Sequence, residues 1–129
     1  MITEDYVSFE TAKLLKEKGF AETSNTIGTY NDKGEFYLYK HEKGYNHNHL
    51  TSWYSAPTLQ MARKWVEDKG YVIYTYPVYD NKILWKYNIW FDNSYMFLGQ
   101  ILEYGTDETF EKSEEACESA IKYCLENLI

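Results

Sequence analysis

The feature that most limits what this chain can fold into is a row of three apolar runs in its second half. The runs cover residues 71–79, 83–91 and 95–104, and the short turns between them read Asp-Asn-Lys and Asp-Asn-Ser. Runs rich in tyrosine, valine and isoleucine are typical of β-strands, and such short connections join antiparallel neighbours. The pattern therefore predicts a three-stranded antiparallel meander.

The first of these strands is apolar on both faces. Tyr71, Ile73 and Tyr79 at odd positions alternate with valines and tyrosines at even positions, so we expect helices or a partner to cover both faces. Pro77 has no N–H to donate to a neighbouring strand, which indicates a free edge near the end of this strand.

Sequence patterns typical of helices precede and follow the meander. Ser8 is expected to cap a first helix that ends at Gly19, and residues 55–58, which include a proline, are expected to open a second helix that ends at Gly70. A third helix is predicted from Ser113, because alanines, cysteines, leucines and an isoleucine then recur at helical spacing.

The segment between the first two helices is less regular. Residues 26–30 and 35–41 favour β-structure, and the turn sequence Asn-Asp-Lys-Gly between them predicts a hairpin with Gly34 at positive φ. Residues 42–55 are polar and show no period, so the sequence predicts a surface loop there.

These elements together predict the α+β class. The expected fold is an antiparallel sheet, made of the three-stranded meander and the N-terminal hairpin, with three helices packed on both faces. A chain of 129 residues that is 44% apolar is the size of one domain, so residues 1–129 are predicted to form a single α+β domain.

Charge disfavours several kinds of partner. The net charge is −7, and eight acids but only two lysines occur from Glu103 onward. Binding to nucleic acid or to anionic membranes relies on lysine and arginine, so neither is expected as a partner. The N-terminus lacks the pattern of a secretory signal, and no apolar run is long enough to span a membrane, so a cytoplasmic location is predicted.

The two cysteines lie on the predicted third helix. Cys117 and Cys124 are seven residues apart, about 10 Å along a helix axis, which is too far for a disulfide. Reduced, buried thiols are the expected state, and a reactive pair is the alternative.

Two segments carry a resemblance to known sequences. Residues 54–65 (YSAPTLQMARKW) and 113–126 (SEEACESAIKYCLE) resemble a family of small uncharacterised proteins of Bacteroides-group gut anaerobes and their phages. More distantly, residues 54–126 are similar to the phage helix-sheet-helix sandwich domain. The resemblance implies a fold and a phage-related origin, and it implies no activity, cofactor or site residue.

All three histidines fall within one short stretch. His41, His47 and His49, with Glu42 beside the first, include the ligand types that bind divalent transition metals. Their spacing matches no established metal motif, so a solvated loop is the competing interpretation. No cofactor is expected.

An aromatic set forms the other candidate site. It offers a platform for sugar rings or for the apolar patch of a partner and consists of Trp53, Tyr54, Tyr74, Tyr76, Trp85, Tyr87 and Trp90. Within it, Trp53, Tyr54 and Trp90 are the candidate interaction residues. Packing in the core is the alternative explanation. No nucleophile elbow, phosphate loop, dinucleotide fingerprint or pair of catalytic acids is recognisable, so no enzyme is predicted.

The sequence therefore favours a non-enzymatic interaction or accessory module of phage origin. Such a module would act through another protein or through self-association. The alternative is a small-molecule or metal-binding protein that uses the loop from His41 to His49.

Overall fold

The computed structural model of the chain describes residues 4–24, 26–38, 44–93 and 100–129. Its elements confirm the α+β class, with three α-helices and two three-stranded antiparallel sheets in the described ranges. In chain order they are α1 (Phe9–Glu17), β1 (Gly28–Asn31), β2 (Phe36–Leu38), β3 (Trp53–Ala56), α2 (Leu59–Asp68), β4 (Tyr71–Tyr79), β5 (Ile83–Asn93), β6 (Gln100–Gly105) and α3 (Ser113–Tyr123).

Close packing divides the chain into two compact units. The first unit is Met1–Ala62 and the second is Arg63–Ile129, so the boundary falls within α2. The prediction that the whole chain forms one domain stays a prediction. None of the helices in the described ranges is long and apolar enough to cross a bilayer.

The first unit packs α1 against a small sheet. The side chain of Ser8 accepts a hydrogen bond from the N–H of Thr11 and caps α1 as predicted, and Gly19, with φ of 88°, follows the end of the helix. The strand order is β2-β1-β3 with every pair antiparallel, which confirms the predicted hairpin. Gly34 in the hairpin turn has φ of 80°, also as predicted.

Strand β3 was not expected from the sequence. The prediction of a loop through residue 55 is wrong at its end, because Trp53–Ala56 pairs antiparallel with β1. In this register Ser55 lies opposite Thr29, and both side chains are buried. A strand of only four residues has too little periodicity to be recognised, and its pairing depends on a partner strand far away in the chain.

The second unit confirms the predicted order of three antiparallel strands, but β5 continues to Asn93, so the turn predicted to begin at Asp92 is wrong. Its strand order is β4-β5-β6, with Ile73 opposite Ile89 and Ile89 opposite Tyr104. Helix α3 packs on β4 and β5, and its inner residues Ala120 and Ile121 are buried. The predicted strand residues 39–41 and 95–99 lie outside the described ranges.

The end of α3 also differs from a regular helix. Residues Cys124–Leu128 form a π-helical turn, and the N–H of Ile129 donates to the carbonyl oxygen of Cys124. The hydroxyl of Tyr71 in β4 donates to the carbonyl oxygen of Leu128 at 2.8 Å, so this turn is bound to the sheet.

Candidate interaction surface

Alternation along β4 separates a covered face of the meander from an exposed one. Ile73 is only 5% exposed, and Ile89 opposite it is fully buried on the side where α3 packs. Val72 and Tyr74, whose side chains point to the other side of the sheet, are 42% and 53% exposed. The meander therefore has one face in the core and one face toward solvent.

The exposed face carries a cluster of apolar side chains, which we call the open face: Val72, Tyr74, Tyr76 and Trp90. Val72 lies directly opposite Trp90, which is 44% exposed. The ring centroids of Tyr74 and Tyr76 are 5.6 Å apart with the planes 19° from parallel, and the Tyr74 and Trp90 centroids are 6.5 Å apart. Four neighbouring apolar side chains thus form one continuous patch.

Polar side chains border the open face on its β5 and β6 side. Asn88 lies opposite Tyr74, and its Nδ2 donates to Oε1 of Glu103 at 2.8 Å. Lys86 lies opposite Tyr76. An apolar centre with a polar border is the usual composition of a protein interface.

The outer edge of β4 is the second feature of this surface. The backbone N–H and C=O of Trp85 both bond to Phe110, on the β6 side of β5. Trp85 therefore makes no backbone hydrogen bonds to Pro77, which lies opposite it in β4. In such a pair the backbone groups of both residues point away from each other, so the carbonyl of Pro77 points to the outer edge. Backbone N–H and C=O groups of alternate residues point to the same side of a strand. Those of Ile73 and Thr75 therefore also point to the outer edge. Among the described residues, no backbone hydrogen bond is made at this edge.

Of the three predicted interaction residues, Trp90 lies in the open face and two lie in the first unit. Trp53 and Tyr54 are half-buried in β3. The Tyr54 ring is 5.5 Å from the Phe9 ring, and Lys16 Nζ lies 4.7 Å from the Tyr54 ring centre. That amine also donates to the carbonyl oxygens of Leu50, Thr51 and Trp53. These contacts give Tyr54 a packing role within the first unit, and the Trp53 ring lies 6.3 Å from the Tyr37 ring.

The described part of the loop from His41 to His49, residues 44–49, is held to the rest of the first unit by side-chain hydrogen bonds. His47 Nδ1 lies 3.0 Å from Oγ1 of Thr29. Asn48 accepts a bond from the N–H of Ser55 and donates one to the carbonyl oxygen of Phe20, both at 2.8 Å. Residues 46–48 therefore bond to other segments of the first unit, in contrast to the solvated loop that the sequence offered as an interpretation.

The three predicted metal ligands have different settings. His47 is half-buried against Thr29, His49 is exposed beside a shallow cleft lined by Lys16 and Phe20, and His41 lies outside the described ranges. Within those ranges, no three histidine, cysteine, aspartate or glutamate side chains come together. A metal site that includes His41 stays a prediction.

The thiols and two tyrosines of the second unit have perturbed acidity. Burial raises the pKa of the Cys117 thiol to about 11 and that of the Cys124 thiol to about 12. Burial also raises the pKa of the Tyr71 and Tyr87 hydroxyls above their usual value of 10.0. Thiols that stay protonated at neutral pH are poor nucleophiles. The raised pKa values therefore favour reduced, buried thiols over a reactive pair.

We expect the free energy of unfolding to fall as the pH rises from about 9 toward 12. The unfolded thiols ionise near 9.0, whereas the folded ones keep their protons to about 11 and 12, so rising pH favours the unfolded chain. Urea denaturation at a series of pH values measures the fall, and Cys124→Ala should make it shallower. A stability that stays constant between pH 8 and 11, or an unchanged slope in Cys124→Ala, would contradict this expectation.

Comparison with known proteins assigns no family to the chain. The phage and Bacteroides-group resemblance therefore remains a prediction from the two segments that carry it. No protein-family model, curated protein or solved structure matches the chain.

Proposed function

We propose that this protein is a non-enzymatic interaction module that binds another protein on the open face of its meander. The observation that carries the proposal is the neighbouring exposure of Tyr74 and Trp90, 53% and 44%, on a face opposite the buried core. Aromatic side chains of this kind supply most of the binding energy at many protein interfaces, because they bury a large area with few rotatable bonds. An accessory role of phage origin belongs to the same proposal.

The chemistry of the open face favours an apolar protein segment as its occupant. Nucleic acid is disfavoured because the chain carries seven excess negative charges. A sugar ring stacks on an open aromatic face, whereas Tyr74 and Tyr76 turn one ring face toward each other. A protein segment with apolar side chains needs only the area these residues offer, and Lys86 and Glu103 at the border supply charges of both signs for polar contacts.

The proposal is tested by selecting binding peptides from a displayed random library against the native protein. We expect Trp90→Ser to weaken the selected peptides by about 30-fold, the effect of losing a residue worth about 2 kcal/mol at an interface centre. Tyr74→Ser should weaken them to a similar degree. Binding is measured by fluorescence anisotropy with labelled peptides.

A matched control lies in the first unit. Leu38 is 51% exposed and apolar but does not belong to the open face, so Leu38→Ser should leave peptide affinity unchanged. The proposal would be contradicted by peptides that bind Trp90→Ser as tightly as the native protein. It would also be contradicted if Leu38→Ser weakened the peptides as much as Trp90→Ser does.

A further inference from the structure

We infer that the outer edge of β4 pairs with β4 of a second copy of this chain, forming a two-fold symmetric dimer with a six-stranded sheet. This inference rests on the proposed function, because it joins two open faces into one binding surface. It is carried by the direction of the backbone groups at the edge, by the self-complementary pattern of the strand and by the charges at its two ends.

The backbone of β4 is suited to antiparallel pairing with itself. A two-fold axis at Thr75 places the two copies of Thr75 opposite each other, and both direct their N–H and C=O outward. The same register places Tyr71 opposite Tyr79 and Ile73 opposite Pro77 of the second copy. Since the proline nitrogen has no hydrogen, the Ile73–Pro77 pairs each lack one of their two bonds, and the other outward groups along the strand are matched.

The side chains of β4 match their own copies in this register. On the open face, Tyr74 lies opposite Tyr76 and Val72 opposite Val78 of the second copy. Aromatic pairs and β-branched pairs across neighbouring strands stabilise a sheet. The stacked rings of Tyr74 and Tyr76 in each copy would then continue into a row across the dimer.

Charge distinguishes a second copy from an arbitrary strand. No charged residue occurs in Tyr71–Tyr79, so two copies of a chain with net charge −7 meet here without repulsion along the strand. Lys69 precedes the strand and Asp80 follows it, and both are exposed. Antiparallel pairing brings Lys69 next to Asp80 of the second copy at each end. Edge strands of monomeric proteins are usually protected by charged side chains, by proline or by bulges; β4 has Pro77 at its edge but no charged side chain.

The test measures the mass of the native protein by sedimentation over a wide range of concentrations, alongside two kinds of variant. Thr75→Pro removes an outward N–H in each copy while the bonds to β5 remain, so we expect the dissociation constant of the dimer to rise by about 30-fold or more. Lys69→Glu should weaken the dimer through repulsion from Asp80, and adding Asp80→Lys should restore it. These exposed charge changes test the contact even if Thr75→Pro does not fold.

Trp90→Ser is the matched control, because Trp90 lies on β5 away from the edge. We expect this variant to remain a dimer while it loses the selected peptides. A native protein that is monomeric at every concentration, or a dimer that persists in both Thr75→Pro and Lys69→Glu, overturns the inference. Loss of the dimer in Trp90→Ser also overturns it, since the contact would then lie on the open face.

The two proposals fail in different ways. A monomer whose peptide binding depends on Trp90 overturns the dimer alone, whereas a dimer whose peptide binding ignores Trp90 overturns the proposed function alone. Hydrogen exchange adds a direct readout, because the amides of Ile73 and Thr75 should become protected as the concentration rises. Protection that requires an added peptide in a monomeric protein would make another polypeptide the occupant of the edge, against the inference.

Discussion

Replacing Ile89 with alanine is expected to lower the free energy of unfolding by about 2–5 kcal/mol. Ile89 is fully buried in the central strand, with Ile73 on one neighbouring strand and Tyr104 on the other. Backbone pairing on both sides keeps these neighbours in place, so the cavity left by the missing methyl and methylene groups cannot close fully. Urea denaturation followed by tryptophan fluorescence measures the loss.

Val72→Ala is the matched control on the other side of the same sheet. Val72 is 42% exposed on the open face, so its truncation should change the free energy of unfolding by less than about 1 kcal/mol. Equal losses for Ile89→Ala and Val72→Ala would show that the assignment of a covered and an open face is wrong.

Asn48→Ala is expected to destabilise the protein by about 2–4 kcal/mol through the first unit. The amide of Asn48 bonds to the N–H of Ser55 and to the carbonyl oxygen of Phe20, and Ser55 is fully buried. Alanine would remove one bond from each backbone group, and a buried N–H that loses its acceptor, as that of Ser55 would, costs about 1–3 kcal/mol. Thermal and urea unfolding measure the effect.

The control for this substitution is the exposed neighbour His49. His49→Ala should change stability by less than about 0.5 kcal/mol, as is usual for exposed positions. If Asn48→Ala proves as mild as His49→Ala, the loop is held by something other than the asparagine.

The parts of the fold that depend on local chemistry were predictable from the sequence. Ser8 caps α1 through a bond to a residue three positions away, and Gly19, Gly34 and Gly70 all have the positive φ that ends a helix or turns a hairpin. The meander was predictable because its strands follow one another along the chain, and residues 80–82 form the predicted short turn between β4 and β5. The second turn, predicted at residues 92–94, was misplaced, because Asp92 and Asn93 belong to β5 and pair with Ile101 and Gln100.

Features that depend on distant partners were not predictable. Strand β3 takes its conformation from pairing with β1, more than twenty residues earlier in the chain. The position of residues 46–48 likewise depends on the hydrogen bonds of Asn48 to Phe20 and Ser55. An asparagine in a polar segment carries no signal of which backbone groups it will bind.

The candidate site was predictable in part. Tyr74, Tyr76 and Trp90 were in the predicted aromatic set. The sequence grouped them with Tyr54 and with the buried Tyr87, and so did not separate the two sides of the sheet. Alternation gives the residues that share a face, whereas the position of α3 decides which face is covered. Because Val72 and Tyr74 are exposed, the cover expected for the even-numbered face would have to come from a partner, which is what we propose.

The bonds of Lys16 bear on the order in which the first unit acquires its structure. Its amine binds carbonyl oxygens 34 to 37 residues further along the chain. Bringing such distant segments together costs conformational entropy before any bond compensates for it. The N-terminal helix, whose bonds are local, should therefore be in place early in folding, and the segment from Leu50 to Trp53 should settle onto it late.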